Sequence, residues 1–508
     1  MQRHRGLRAG RRQRHRRLLP ETPPAMKVLI AGCGFVGERV ADLLHAAGHE
    51  VIGLTHSPES AARLATVKPW RTESCDISNS ADVIALAARL SASSIDTVIH
   101  CASSSRGGAE MYQSVYVDGM RHLTQAFPSA FPLYTSSTSV YPQVNGEVID
   151  ETSFADPDRD TGRLLREAET IALNAKGAVA RLAGIYGPGR SFVLKNLLEG
   201  KAAIEGNNGQ GRILNQIHAD DAASALVHLV TQRLSGIYNI VDDAQMTQRQ
   251  CVERLCSIFG VKIPGTREPD PNRKRGWSHK RVSNTKLHAT GWAPRYASYF
   301  DALRDDPDLA SSILDLVQTS GETLPSRQPN ILLIGLMGSG KTTVGRIVAQ
   351  MIGFQIVDTD HLIADTVGKS IPEIFATEGE AAFRLHESAA LRSLLGKRGC
   401  VIATGGGIVT QPRNLAILRH LGYIVWLDAD PERLARRTAM NTNRPLLNGE
   451  ENPKAKLERL LNERKPLYKS LADLRIKTAE LTPQETAYGV MESARVFFAR
   501  RQKIESVS

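Results

Sequence analysis

The sequence predicts an α/β protein built from two parallel sheets in tandem, and three observations carry this. Short β-rich runs alternate with amphipathic helical stretches along most of the chain, the pattern of βαβ units. Two stretches, "KVLIAGCGFVGERVADLL" (27–44) and "NILLIGLMGSGKTTVG" (330–345), each pass from an apolar strand through glycines into a helix. At 508 residues the chain is too long for one hydrophobic core. The expected organisation is a basic, disordered extension over 1–25, a first domain over 26–305, a linker over 306–328 and a second domain over 329–508.

The extension holds most of the charge. Of the net +11, residues 1–25 supply +7, from eight arginines against Glu21, and the rest of the chain only +4. Such a run can be a basic arm or a transit-like segment. Met26 directly before the strand "KVLIAG" favours an upstream extension with no part in the fold. With the charge confined there, nothing else points to nucleic acid. No apolar run approaches the roughly 20 residues that span a bilayer, so a membrane role is not expected. The six cysteines are scattered without a CxxC pair or His cluster, which argues against a disulfide framework or zinc site and for the cytoplasm.

In the first domain, "KVLIAG", "EVIGLT", "TVIHCAS" and "PLYTSS" read as parallel strands. Gly32, Gly34 and Gly37, with Phe35 and Val36 between them, fit GxGxxG at a strand-to-helix turn. Glycines there allow a tight turn, close approach to a pyrophosphate and helix-on-strand packing, a Rossmann-type cofactor loop. The acid that usually ends the second strand is missing; "VIGLTHS" offers Thr55 and His56 instead. NAD loses its usual ribose partner, and NADP comes into question with Arg63 as phosphate partner, unless Arg63 is a plain helix-surface charge.

Further motifs, "YTSSTSVYP", "RLAGIYGPGR", "NQIHADDAASAL" and "GIYNIVDD", resemble the extended short-chain dehydrogenases, the NAD(P)-dependent epimerases and dehydratases, over about 26–303. The resemblance implies that Ser137, four residues before Tyr141, polarises a substrate. It also requires a Tyr-x-x-x-Lys, whose lysine lowers the tyrosine pKa for acid–base work. Here Thr161 and Leu165 stand at those two places. Two readings follow: an NAD(P)-binding module that lacks standard catalysis and regulates or scaffolds its neighbour, which is favoured, or an active oxidoreductase or epimerase with a substitute acid.

The segment 304–330 mixes a short helical piece with Ser, Gly, Thr and Pro and reads as the linker. Beyond it, Gly335 to Thr342 fit GxxxxGK[ST], a P-loop whose backbone N–H groups wrap ATP phosphates, with Lys341 on the β/γ oxygens and the Thr342 hydroxyl on Mg²⁺. Four clusters then bear on the acceptor. "FQIVDTD" ends a strand with Asp358 and Asp360, expected on one strand face for a metal and a hydroxyl, or else a solvated turn pair. "AAFRLHESAAL" sets Arg384 and Glu387 at i and i+3 on a helix, a ligand arginine or an ordinary surface ion pair. The triple glycine Gly405, Gly406, Gly407 implies a ligand close to the main chain. "RRTAMNTNRPLLNGEENP" reads as a mobile lid carrying Arg437 and Arg444, and in "NERKPLY" Arg464 precedes a proline expected to end its helix.

Together GSGKTT, DTD, FRxxE, GGG, RPLL and ERxPLY, in this order, resemble shikimate kinase over 330 to about 490. The resemblance implies a three-layer α/β/α P-loop kinase domain with a mobile lid, acting as a monomer on shikimate and ATP. By the same carry-over Gly338, Ser339, Gly340, Lys341, Thr342 and Thr343 wrap ATP, with Arg437 and Gln484 near adenine, and Thr342 and Asp358 serve Mg²⁺. Asp360, Arg384, Gly406 and Arg464 hold shikimate, and Lys341, Asp360 and lid Arg444 form the catalytic set. The expected reaction phosphorylates the 3-hydroxyl of shikimate, a step of chorismate and aromatic amino-acid biosynthesis. The converging Arg384 and Arg464 suit a carboxylate. Another small hydroxy acid such as gluconate is the rival acceptor, and nucleoside monophosphate kinases, which need a larger acceptor domain, are a weaker reading.

Overall fold

Both sheets are parallel: their central strands are buried on both faces, and helices return over the sheet between one strand and the next. The computed structural model describes residues 24–104, 108–206, 209–269, 278–319, 327–438 and 453–505. Among these, the first sheet has seven strands: β1 (Lys27–Ala31), β2 (Glu50–Thr55), β3 (Arg71–Ser74), β4 (Thr97–His100), β5 (Phe131–Ser137), β6 (Ala178–Leu182) and β7 (Gly236–Ile240). Their order is β7-β6-β5-β4-β1-β2-β3. β1 pairs Val28 with Val51 on one side and with Thr97 on the other, so the chain winds outward in both directions from it. The crevice at its carboxyl end is where such a sheet receives a ligand.

The second sheet has five described strands: β8 (Ile331–Ile334), β9 (Gln355–Asp358), β10 (Cys400–Ala403), β11 (Tyr423–Asp428) and β12 (Leu474–Lys477), in the order β9-β10-β8-β11-β12. Every residue of β8 is buried, as expected for the central strand. The adjacent ends of β9, β10 and β8 bring together three motifs far apart in sequence.

The expected linker is in part a packed wedge. The Leu309–Thr319 helix buries Leu309, Ala310, Ile313, Leu314 and Val317, one helical face, between the Phe192–Leu198 helix of the first domain and the Pro412–Leu421 helix of the second. Burying four large aliphatics at ~1.5–3 kcal/mol each makes this a firm joint. Asp306, just ahead of it, accepts from fully buried His218 at 2.9 Å. Gly189 N donates to Ser312 Oγ at 2.8 Å, and Gln318 Nε2 donates to the Ala416 carbonyl at 3.1 Å, so the helix is tied to both domains. Residues 320–326 of that segment, and 1–23 of the extension, lie outside the described residues.

Two expectations are corrected. Asp360 is not on the strand face with Asp358: β9 ends at Asp358, which caps the Thr359–Val367 helix by accepting from Asp360 N at 3.0 Å. An N-cap aspartate turns the chain at once, so the pair meets across a turn. Pro466 does not end its helix; Pro453–Leu471 runs through it. The lost N–H and ring clash, about 3 kcal/mol, are outweighed by burial of Leu457, Leu460, Tyr468 and Leu471 along that helix. Among the described residues no helix is long and apolar enough to cross a membrane.

Candidate functional site

The phosphate loop leaves β8 at Gly335, whose φ of 140° and contact with the Leu427 carbonyl (2.5 Å from an added Cβ) admit only glycine. Gly338 (φ 80°) and Gly340 (φ 91°) complete a left-handed path that delivers the chain into the Lys341–Ile352 helix. Lys341 is nearly buried, and its Nζ donates to the carbonyls of Gly335 and Leu336, both at 2.8 Å. The ammonium is thus held over the loop. Thr342, in the first turn of the helix, donates its hydroxyl to Asp358 Oδ2 at 2.7 Å. Asp358 therefore has one oxygen on Thr342 and the other on the cap, an oriented hard-oxygen pair that fits a Mg²⁺ ion.

Each member of the triple glycine makes room for a different neighbour. A Cβ on Gly405 would lie 2.6 Å from Glu387 Oε1 and 2.9 Å from Asp360 Oδ1, and one on Gly406 would press on Met337 N at 3.1 Å. On Gly407 it would collide with the Arg384 guanidinium. The glycines bring four walls of one pocket into contact.

Arg384 donates to Glu387 Oε2 at 2.5 Å and to Glu380 Oε1 at 2.7 Å. It is a buried ligand-facing group rather than a surface pair. Burial pushes the Glu387 carboxyl pKa up, against the pull of the Arg384 guanidinium. Arg464 Nη1 and Tyr468 Oη both donate to the Gly406 carbonyl, at 3.1 and 2.5 Å. Two buried atoms here have no hydrogen-bond partner: Arg464 Nε, a donor, and Glu387 Oε1, an acceptor. An orphaned buried polar atom costs about 1–3 kcal/mol, a cost set against holding both side chains at this cavity. Glu387 and Tyr468 escaped the sequence assignment as site residues. The signal for Tyr468 was its i+4 spacing from Arg464, which puts both on one helix face.

Arg384, Glu387, Arg464 and the triple glycine line a cavity of about 770 Å³, together with His361, Ile371, Phe375 and Phe383, Tyr468 standing behind its wall. It brings Gly338, Ser339, Gly340, Lys341, Thr342, Thr343, Asp358, Asp360, Arg384, Gly406 and Arg464 together. Gln484 stands exposed in the first turn of the Pro483–Glu505 helix, and its neighbours Pro483 and Thr486 line the cavity in its stead. Arg437 falls within the Pro431–Thr438 helix rather than in an irregular segment, and Arg444 lies outside the described residues.

The first domain carries a second cavity, about 940 Å³, at the carboxyl end of β1. Gly32, Gly34, Phe35 and Val36 line it, while Gly37 packs on the Gly32 carbonyl. A Cβ on Gly32 would run into Ala102, but one on Gly34 would meet nothing within 4 Å. Nothing inside the protein asks for glycine at position 34. Ser137 lines this cavity, whereas Tyr141 is buried and donates to Asn239 Oδ1 at 2.9 Å. Leu165 faces it from the place expected of the lysine.

Comparison with known proteins agrees with this division. Residues 337–495 match the shikimate kinase family, and residues 28–241 match the NAD dependent epimerase/dehydratase family. A shikimate kinase of Trichormus variabilis is 49% identical over 164 residues, which are 32% of this chain and 89% of that protein. One from Synechococcus sp. is 46% identical, over 32% of this chain and 81% of its own. Among solved structures, shikimate kinase from Acinetobacter baumannii in complex with shikimate is 42% identical over 32% of this chain and 92% of its own, with a TM-score of 0.32. A UDP-glucose-4-epimerase from Stenotrophomonas maltophila is 19% identical over 58% of this chain and 99% of its own, with a TM-score of 0.48. The chain belongs to the shikimate kinase family through its C-terminal domain, and ahead of that domain it carries one of the NAD-dependent epimerase/dehydratase type.

Proposed function

We propose that the chain transfers the γ-phosphoryl group of ATP to the 3-hydroxyl of shikimate, giving shikimate 3-phosphate and ADP. The observation that carries this reading is the convergence of Arg384, Arg464 and Asp360 on one cavity beside the phosphate loop. The two guanidiniums suit a carboxylate, and Asp360 suits a ring hydroxyl. A neutral sugar would leave Arg384 and Arg464 without an anion, whereas gluconate, itself a carboxylate, satisfies them and is separated from shikimate by the assay alone.

Asp360 is the exposed carboxylate of the cavity and the group that orients the acceptor hydroxyl or takes its proton. The loop N–H groups and Lys341 bind the phosphates, and Thr342 with Asp358 holds Mg²⁺. The metal, when bound, neutralises charge on the transferring phosphates. Arg444 on the lid and Arg437 and Gln484 at the adenine end complete the assignment carried over from the family. Most of the acceleration is assigned to positioning and charge, since phosphoryl transfer asks little covalent chemistry of a protein.

The first cavity is assigned to NAD(P) without standard acid–base catalysis. Leu165 cannot lower a tyrosine pKa, and Gly34 is free for a pyrophosphate. Five of the six free cysteines are buried, consistent with a reducing cytoplasm.

Coupled ADP release from ATP and Mg²⁺ tests the kinase, with shikimate and gluconate compared. Shikimate-dependent release is expected; gluconate-dependent release without it would overturn the acceptor. Hydride transfer from NAD(P)H to a nucleotide sugar would overturn the non-catalytic reading of the first domain.

A further inference from the structure

The cavity of the first domain has an unusual charge at the place where dinucleotides differ. NAD and NADP are told apart at the adenosine ribose, beside the end of the second strand. A carboxylate there accepts the ribose hydroxyls of NAD and repels a 2′-phosphate. In this chain β2 ends at Thr55, whose hydroxyl is spent on the Ser57 carbonyl at 3.0 Å. His56, Ser60 and Arg63 follow, all lining the cavity.

Arg63 makes no ion pair among the described residues. Glu59, one turn earlier on the Pro58–Ala65 helix, turns its carboxylate to Ser57 and to its own backbone N–H instead. Among the described lining residues Asp76 is the one carboxylate. Its Oδ1 accepts from Ser78 N at 3.0 Å and from Ser78 Oγ at 2.6 Å, and lies 3.7 Å from His56 Nδ1 rather than on Arg63. The result is a guanidinium with no ion pair among the described residues, lining the cavity beside the Ser60 hydroxyl of the same helix and the His56 imidazole.

We infer that this cavity selects a dinucleotide bearing a 2′-phosphate, NADP(H), and that Arg63 is the residue that makes the choice. This rests on reading the first cavity as a dinucleotide site. The guanidinium fork meets a phosphate bidentately, and the Ser60 hydroxyl adds a donor. The 2′-hydroxyl of NAD finds no carboxylate to receive it. Because Arg63 is exposed, the preference weakens as salt rises.

The test is a fluorescence titration of the full-length chain with NADPH and, in parallel, NADH. Tighter binding of NADPH by roughly tenfold or more is expected. Arg63→Met removes that margin by weakening NADPH, leaves NADH as it was and leaves Tm unchanged; Arg63→Lys restores part of it. Equal or tighter NADH binding by the unaltered chain overturns the inference and leaves the dinucleotide reading standing. So does an Arg63→Met variant that weakens both alike. Binding of neither cofactor overturns the dinucleotide reading itself, and the inference falls with it.

Discussion

The two glycine loops share a plan, strand to loop to helix at the carboxyl end of a central parallel strand, yet their surroundings diverge. Around Gly338 and Gly340 one strand end delivers Asp358 and three helices deliver Asp360, Glu387 and two buried arginines, and Gly405 and Gly407 are explained by these side chains themselves. Around the cavity at Gly34 the lining is mostly serines, cysteines, aromatics and Leu165, with His56, Arg63 and Asp76 at one end, and the glycine has no internal explanation. A glycine loop therefore states that phosphate is bound. Whether chemistry follows depends on titratable groups brought in from adjacent elements, and the first cavity lacks the pair its family pattern requires.

The sharpest way to break this contrast is Asp360→Asn. Turnover should fall about 10²–10⁴-fold with Tm unchanged, because Asp360 is exposed and its backbone N–H keeps the Asp358 cap. Binding of NADPH to the first domain should not change. Near-normal kcat would strip Asp360 of its role and make the two sites more alike than argued here.

Arg384→Ala comes next. It leaves Glu387, 1% exposed, without its cation, so a stability loss of about 3–5 kcal/mol is expected by denaturant unfolding, with weaker shikimate binding. The double variant Arg384→Ala/Glu387→Gln should recover part of the stability but not the binding. Failure of that rescue would show that the arginine acts by packing alone.

The joint between the domains gives a pH signature of similar or smaller size. His420 is buried against the Phe259 ring of the other domain, ring centroids 5.6 Å apart, and burial pushes its pKa down to about 4. The folded chain stays neutral there until about pH 4, while the unfolded chain takes up a proton near pH 6.5. This stabilising term is complete above pH 6.5 and is lost as the pH falls from 6.5 to 4, up to about 3 kcal/mol. Unfolding of His420→Phe should show a flatter pH dependence over that window. An unchanged slope would exclude His420 as its source.

The smallest expected effect compares two glycines directly. Gly34→Ala should leave Tm unchanged and weaken dinucleotide binding about tenfold, whereas Gly407→Ala, set against Arg384, should lower both Tm and kinase turnover. A Tm drop in Gly34→Ala would mean that its glycine serves the fold after all.

Local signals determined much of this protein. Strand–loop–helix frames at both glycine motifs follow from apolar runs and glycine spacing, and the acceptor cluster was readable because Arg384, Arg464 and the triple glycine are chemically conspicuous. Other features were settled only in three dimensions. Asp358 and Asp360 meet through a helix cap, Pro466 stays inside its helix, and Leu309–Thr319 becomes a wedge shared by two cores. Glu387 and Tyr468 join the site through partners at 405–407. Each of these depends on burial against residues distant in sequence, an energy that local propensity does not contain. The open space beside a Cβ at Gly34 and the lack of an ion pair to Arg63 among the described residues are likewise tertiary facts, since a sequence names a residue but not its neighbours in space.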